Sequence, residues 1–130
     1  MRLFTPDEAE ALLPEVREEL EAMRRAKAEL DVLRESLSAT LGKAASNGHV
    51  RDADDVASRR RRAERLVEEI NRRLERFQNW GCELKGIDEG LVDFPCDRDG
   101  RIVYLCWRLG EDRISWWHDL DAGFPGRQPL

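Results

Sequence analysis

Ala9, Val16, Met23, Leu30 and Leu37 recur every seven residues, and Leu13, Leu20 and Leu41 occupy the adjoining position of the same heptad. Seven residues make about two α-helical turns, so this pattern predicts a long helix with one apolar seam. Its start is written in Thr5-Pro6-Asp7-Glu8: Thr as N-cap, Pro at the first helical position, acids in the first turn, and Glu8 placed to close a capping box. Phe4 is set to staple onto Ala9. Pro14 removes one backbone bond and is expected to bend the helix near Glu10. Lys27 and Arg34 interrupt the second stripe and narrow the seam, their long stems lying along the partner surface.

Gly42 to Gly48 carries the Gly, Ser and Asn that end helices, which bounds helix one at 5–41; Asp52 or Asp54 then caps helix two over 52–80. Val56, Ala63, Ile70 and Phe77 form its heptad, with Val67 and Leu74 on the companion position and Leu66 alongside, until Trp80-Gly81 stops it. The two helices are expected to pair as an antiparallel hairpin. A stripe wider than a strict seam predicts further burial against a second copy, a homodimer through the helices.

After Gly81 the heptads give way to short apolar runs, Cys82–Lys85, Leu91–Phe94, Ile102–Trp107 and Ile114–Trp117, which read as an antiparallel β-meander over 82–118 followed by a tail, 119–130. Asp97–Gly100 connects the second and third strands. Gly110-Glu111, read as a two-residue loop, sets Trp107 opposite Ile114, Leu105 opposite Trp116 and Val103 opposite His118. In that register His118 ends the apolar face, while Tyr104, Cys106, Arg108, Ser115 and Trp117 share the other. The expected fold is α+β, a long antiparallel helical hairpin followed by a small antiparallel β-meander, in one domain over 1–130. All four Trp lie between positions 80 and 117. A sheet this small cannot cover its own apolar face, so it leans on the base of the hairpin, and leftover aromatic surface would meet a protein partner.

Charge narrows the function classes. A net charge of −5 weighs against nucleic acid and anionic lipid, and only residues 42–80 are net basic. The run Arg59-Arg60-Arg61-Arg62 points in four directions around a helix, and Asp55–Arg59, Arg60–Glu64, Glu68–Arg72 and Glu69–Arg73 are spaced as i,i+4 ion pairs of a solvated face. Three cysteines, Cys82, Cys96 and Cys106, with no C-x-x-C pair, suit a reducing compartment. No signal peptide or apolar run of 18 residues is present, so the expectation is a cytoplasmic protein that does not enter membranes.

Polar residues inside the apolar C-terminal segment are the candidates for a site: Asp93, Cys106, Glu111, His118 (beside Asp119 and Asp121) and Arg127. A carboxylate and an imidazole brought together by a meander can hold a divalent metal or polarise a water, with His118, Asp93 and Glu111 as ligands and Cys106 as a further one. No local spacing such as H-E-x-x-H fixes two ligands. The plainer reading makes Asp93 a hydrogen-bond acceptor, His118 a satisfied edge-of-core ring and Cys106 a small buried side chain. Phe124 and Arg127 are expected to anchor the tail on the sheet, Arg127 pairing with Asp93 or Glu111. No Gly-rich phosphate loop exists, and Ser115 falls on the strand face opposite His118, which leaves no Ser/His/Asp arrangement.

Phe4-Thr-Pro-Asp-Glu-Ala9, Leu12-Leu-Pro-Glu-Val16, Gly90-Leu-Val-Asp-Phe-Pro95, Leu105-Cys-Trp107, Gly110-Glu111, Trp117-His118 and Gly123-Phe-Pro-Gly-Arg-Gln-Pro129 resemble the pattern of a bacterial family of uncharacterised proteins, the domain of unknown function 2203 (DUF2203). The resemblance spans nearly the whole chain and does not require Cys82 or Cys96. It implies a bacterial source and carries over no activity, substrate or cofactor. Three functions remain: a non-enzymatic dimeric assembly or adaptor module; a metal-binding protein or metal-dependent enzyme with its site in the C-terminal sheet; and an RNA-associated protein using the arginines of helix two. No reaction is assigned.

Overall fold

Thr5 and Glu8 close the capping box reciprocally, the Glu8 N–H donating to Thr5 Oγ1 at 3.1 Å and the Thr5 N–H to Glu8 Oε1 at 3.0 Å. From that cap, helix α1 runs Pro6–Asn47 in a computed structural model that describes residues 1–47 and 53–130. It continues through Pro14, which is exposed. It also passes the expected end at Leu41: Gly42 costs only about 1 kcal/mol against Ala in a helix, and Lys43-Ala44-Ala45 are strong helix formers. Helix α2 is Ala53–Trp80; Asp54 lies in its first turn, and Asp52 is outside the described residues. At its end Gly81 takes φ 90°, with its N–H bonded to the Phe77 carbonyl at 3.0 Å.

The α+β class holds: two long helices forming a hairpin, then a five-stranded antiparallel sheet in the meander order β1 (Glu83–Gly86), β2 (Leu91–Arg98), β3 (Arg101–Arg108), β4 (Trp116–His118) and β5 (Gln128–Pro129). The chain divides into two compact units, Met1–Ala22 with Arg73–Leu130, and Met23–Arg72. Each takes part of both helices, and the unbroken heptads give no sign of that boundary.

In the unit Met23–Arg72, Met23, Ala26 and Leu30 of α1 are buried, as are Val56, Leu66 and Ile70 of α2. Ala63 and Leu37 of the main heptads and Val67 of the companion position, with Leu33, are only half-buried. Arg62 forks onto Glu29 at 3.1 and 2.6 Å, and Arg59 pairs with Asp55 at 2.9 Å while also donating to Thr40 and Ser36. Two arginines of the basic run are therefore engaged within this unit.

In the other unit, Ala9, Leu13, Val16 and Leu20 of α1 and Phe77 of α2 are buried, and the buried Glu19 carboxylate binds both Arg73, at 2.8 Å, and Arg76. Phe4 is buried too, its ring meeting Phe94 edge-on with centroids 5.3 Å apart. The β2–β3 turn is Asp99-Gly100, both residues with positive φ (54° and 86°), as a two-residue hairpin loop of type I′ requires.

The β3–β4 connection differs from the expected tight hairpin. Glu111 N–H closes a turn onto the Arg108 carbonyl at 3.0 Å, but the chain then stays irregular until Trp116. Helix α1 holds it there: Arg17 donates to the Glu111 and Asp112 carbonyls at 3.2 and 2.7 Å, and Glu10 accepts the Ile114 N–H at 2.7 Å. Consequently Tyr104 pairs with His118, Leu105 with Trp117 and Cys106 with Trp116. This is a one-residue slip from the expected register, and it exchanges the faces of β4. Trp117 joins Val92, Phe94, Leu105 and Trp107 among the buried side chains of the apolar face, while His118 turns to the face of Asp93 and Cys106.

Candidate metal centre

Asp93 stands opposite Cys106 across β2 and β3, and His118 stands opposite Tyr104, the neighbour of Cys106 by two along β3. Side chains alternate along a strand, so all three rise from one face. One acceptor or donor atom from each of Asp93, Cys106 and His118 lies within 4.8 Å of the others, and all three residues are buried.

The imidazole is oriented from behind. His118 Nδ1 lies 2.7 Å from the Asp119 carbonyl oxygen, which can only accept, so Nδ1 carries a proton. Nε2 then faces the Asp93 carboxylate, 3.1 Å from each oxygen. In the neutral ring Nε2 holds a lone pair, and two lone-pair donors meet at that distance only with a proton or a cation between them. The Cys106 thiol lies beside the same carboxylate.

Electrostatics follow from burial. Desolvation pushes the Asp93 carboxyl above its ordinary value, opposed by His118, Cys106 and Lys85. Burial and then the Asp93 charge push the Cys106 thiol up to about 12, with Arg127 acting the other way. A thiol in that state is protonated and unreactive at neutral pH unless a cation displaces the proton. On one side the cluster borders a cavity of about 280 Å³, whose wall includes Asp93, Cys106, His118 and Lys85.

Glu111 and Arg127, the remaining candidates from the sequence, form a separate pair. Arg127 donates to Glu111 Oε1 at 2.7 Å and to the Cys106 carbonyl at 3.0 Å, and its guanidinium lies over the rings of Trp116 and Phe124. Glu111 Oε1 also accepts the Arg108 N–H at 2.6 Å. Glu111 is thus committed to the turn and the tail, and Cys106 takes the third place beside Asp93 and His118. Of the two partners the sequence offers Arg127, the structure pairs it with Glu111. Lys85 on the cavity wall had no signal in the sequence beyond its place in a short strand. The Asp119 carbonyl, as backbone, could have none.

Among the described residues no helix is long and apolar enough to cross a membrane. Neither a curated protein nor a solved structure matches the chain. A family model matches residues 2–130, essentially the whole chain, which therefore belongs to the family described as Uncharacterized conserved protein (DUF2203).

Proposed function

We propose that the protein binds a divalent transition metal of the zinc class through His118 Nε2, an Asp93 carboxylate oxygen and Cys106 Sγ. One observation carries this reading: a histidine whose Nδ1 proton is spent on a backbone carbonyl aims Nε2 at a buried carboxylate beside a buried thiol. A carbonyl behind the ring is the usual second partner of a metal-bound histidine, since it selects the tautomer and raises basicity at the other nitrogen. The N, O and S donor set matches what zinc accepts, and donor atoms within 4.8 Å of one another need close only slightly to reach bond lengths of roughly 2.0–2.3 Å. Asp93 and the Cys106 thiolate together balance the charge of a dication, and Arg127 favours the thiolate. Three protein ligands leave a tetrahedral ion one position, on the side of the cavity.

The test is metal content and affinity of the purified protein, by elemental analysis and titration calorimetry with Zn²⁺. One equivalent bound, and lost in His118→Ala and in Asp93→Asn, supports the reading. No uptake by the folded wild type under metal-replete conditions overturns it.

Assembly through the helices is a second reading, favoured by the unit Met23–Arg72. There Leu30, Ala63 and Val67 line an apolar groove with Arg34 on one rim and Glu64 and Glu68 on the other, an arrangement that a second copy can complement by symmetry. Light scattering that gives twice the chain mass for wild type and the chain mass for Val67→Glu supports it; a wild-type monomer at micromolar concentration removes it.

A further inference from the structure

We infer that the cavity over the Asp93–Cys106–His118 cluster receives a small aliphatic monocarboxylate, with its carboxylate on the open metal position and on Lys85. The inference rests on the metal reading above. Its grounds are the composition of the cavity wall and the charges left over once a metal is counted.

Beyond the three donors, the wall is made chiefly by Leu91, Leu120, Ala122 and Phe124, with Lys85 and Asp121 as its charged members. A dication held by one carboxylate and one thiolate is neutral, so it attracts no further charge at long range. Lys85 supplies the remaining cation. Its pairing with Glu83, at 3.4 Å with both side chains more than two-fifths exposed, is too weak to hold it against a better partner. Lys85 lines the same cavity as the three donors, so its ammonium faces the space in which an anion bound beside them would lie. A carboxylate meets both demands, since one oxygen takes the metal position and the other accepts from an ammonium.

The rest of the wall decides what the carboxylate carries. Four apolar side chains favour an alkyl chain, and a cavity of about 280 Å³ admits one of only a few carbons. Asp121 at the rim repels a second negative end. A monocarboxylate is therefore selected over a dicarboxylate of the same length, and over an amine, which has nothing to offer the metal–Lys85 pair in its charged form.

Cobalt-loaded protein makes the test, because Co²⁺ takes the same donors as zinc and its visible spectrum reports a change of ligand. Cobalt content is measured first, on wild type and on Lys85→Ala, so that equally loaded samples are compared. Hexanoate, adipate and hexylamine are then titrated at constant ionic strength. The expected result is a saturable spectral change with hexanoate, weaker by on the order of tenfold with adipate and with the Lys85→Ala variant, as one lost charge-assisted hydrogen bond implies, and none with hexylamine. Cobalt uptake with no response to hexanoate overturns the inference and leaves the metal reading standing. So does an undiminished response in Lys85→Ala or to adipate. Failure to take up cobalt and zinc alike overturns the metal reading itself.

Discussion

Asp93 and Cys106 oppose each other directly across the β2–β3 ladder, with the Cys106 sulfur within 4.8 Å of the carboxylate it faces. Both are buried in a sheet face that also receives His118. A buried acid and a buried thiol are costly neighbours unless a proton or a cation is shared between them. That cost gives the pair consequences measurable in metal affinity, stability and pH response.

Metal affinity is expected to rise with pH, because the ion must displace the proton that burial holds on Cys106. Cys106→Ser should weaken Zn²⁺ binding by more than about a hundredfold, beyond the range that outer partners of metal ligands contribute. Calorimetry at several pH values, with proton release read from the buffer dependence of the enthalpy, checks both. Affinity that does not change with pH would contradict the expected proton release.

The Glu111–Arg127 pair is expected to hold the C-terminal segment on the sheet. Arg127→Ala should cost about 1.5–3 kcal/mol, the range for hydrogen bonds to a charged partner, because the Arg127 side chain is only 11% exposed and Glu111 27%. Deleting residues 123–130 should cost more, since β5 and its Leu130 N–H bond to the Ser115 carbonyl go as well. Urea unfolding measures both; an unchanged midpoint in the deletion would show that the segment contributes nothing.

Glu19 is a buried acid whose side chain is 6% exposed, held between Arg73 at 29% and Arg76 at 52%. Removing the acid leaves two arginines that can turn to water. Removing both arginines strands a charge inside. Arg73→Ala/Arg76→Ala should therefore cost about 3 kcal/mol or more and Glu19→Ala distinctly less, in unfolding experiments at neutral pH. Equal losses would mean that burial of the carboxylate is not what sets the cost.

Alkaline pH should destabilise the fold. Cys82 is pushed from 9.0 to about 12 by burial, and Cys106 reaches a similar value. Between about pH 9 and 12 the folded chain keeps protons that the unfolded chain releases, so stability falls as pH rises through that window. Thermal melts should show a steady decline there, and Cys82→Ala should make it shallower, Cys106 keeping part of it.

The sequence by itself determined both helices, their capping box, four of the five strands and the docking role of Arg127, because these depend on local chemistry: heptad spacing, Thr5 and Glu8, alternation, and an anchor with few possible partners. The fifth strand, Gln128–Pro129, falls in the segment expected to be a tail, since only pairing with β4 makes it a strand. The sequence also named Asp93, Cys106 and His118. What tertiary structure alone decided was that these three share a face. Gly110-Glu111 reads locally as a tight hairpin, but Arg17 and Glu10 of α1 hold the segment after it irregular and shift β4 by one residue. Strand faces alternate with a period of two, so that single step moved Trp117 into the core and brought His118 beside Asp93. The forces that set it come from side chains roughly a hundred positions away in the chain, beyond the reach of any local pattern.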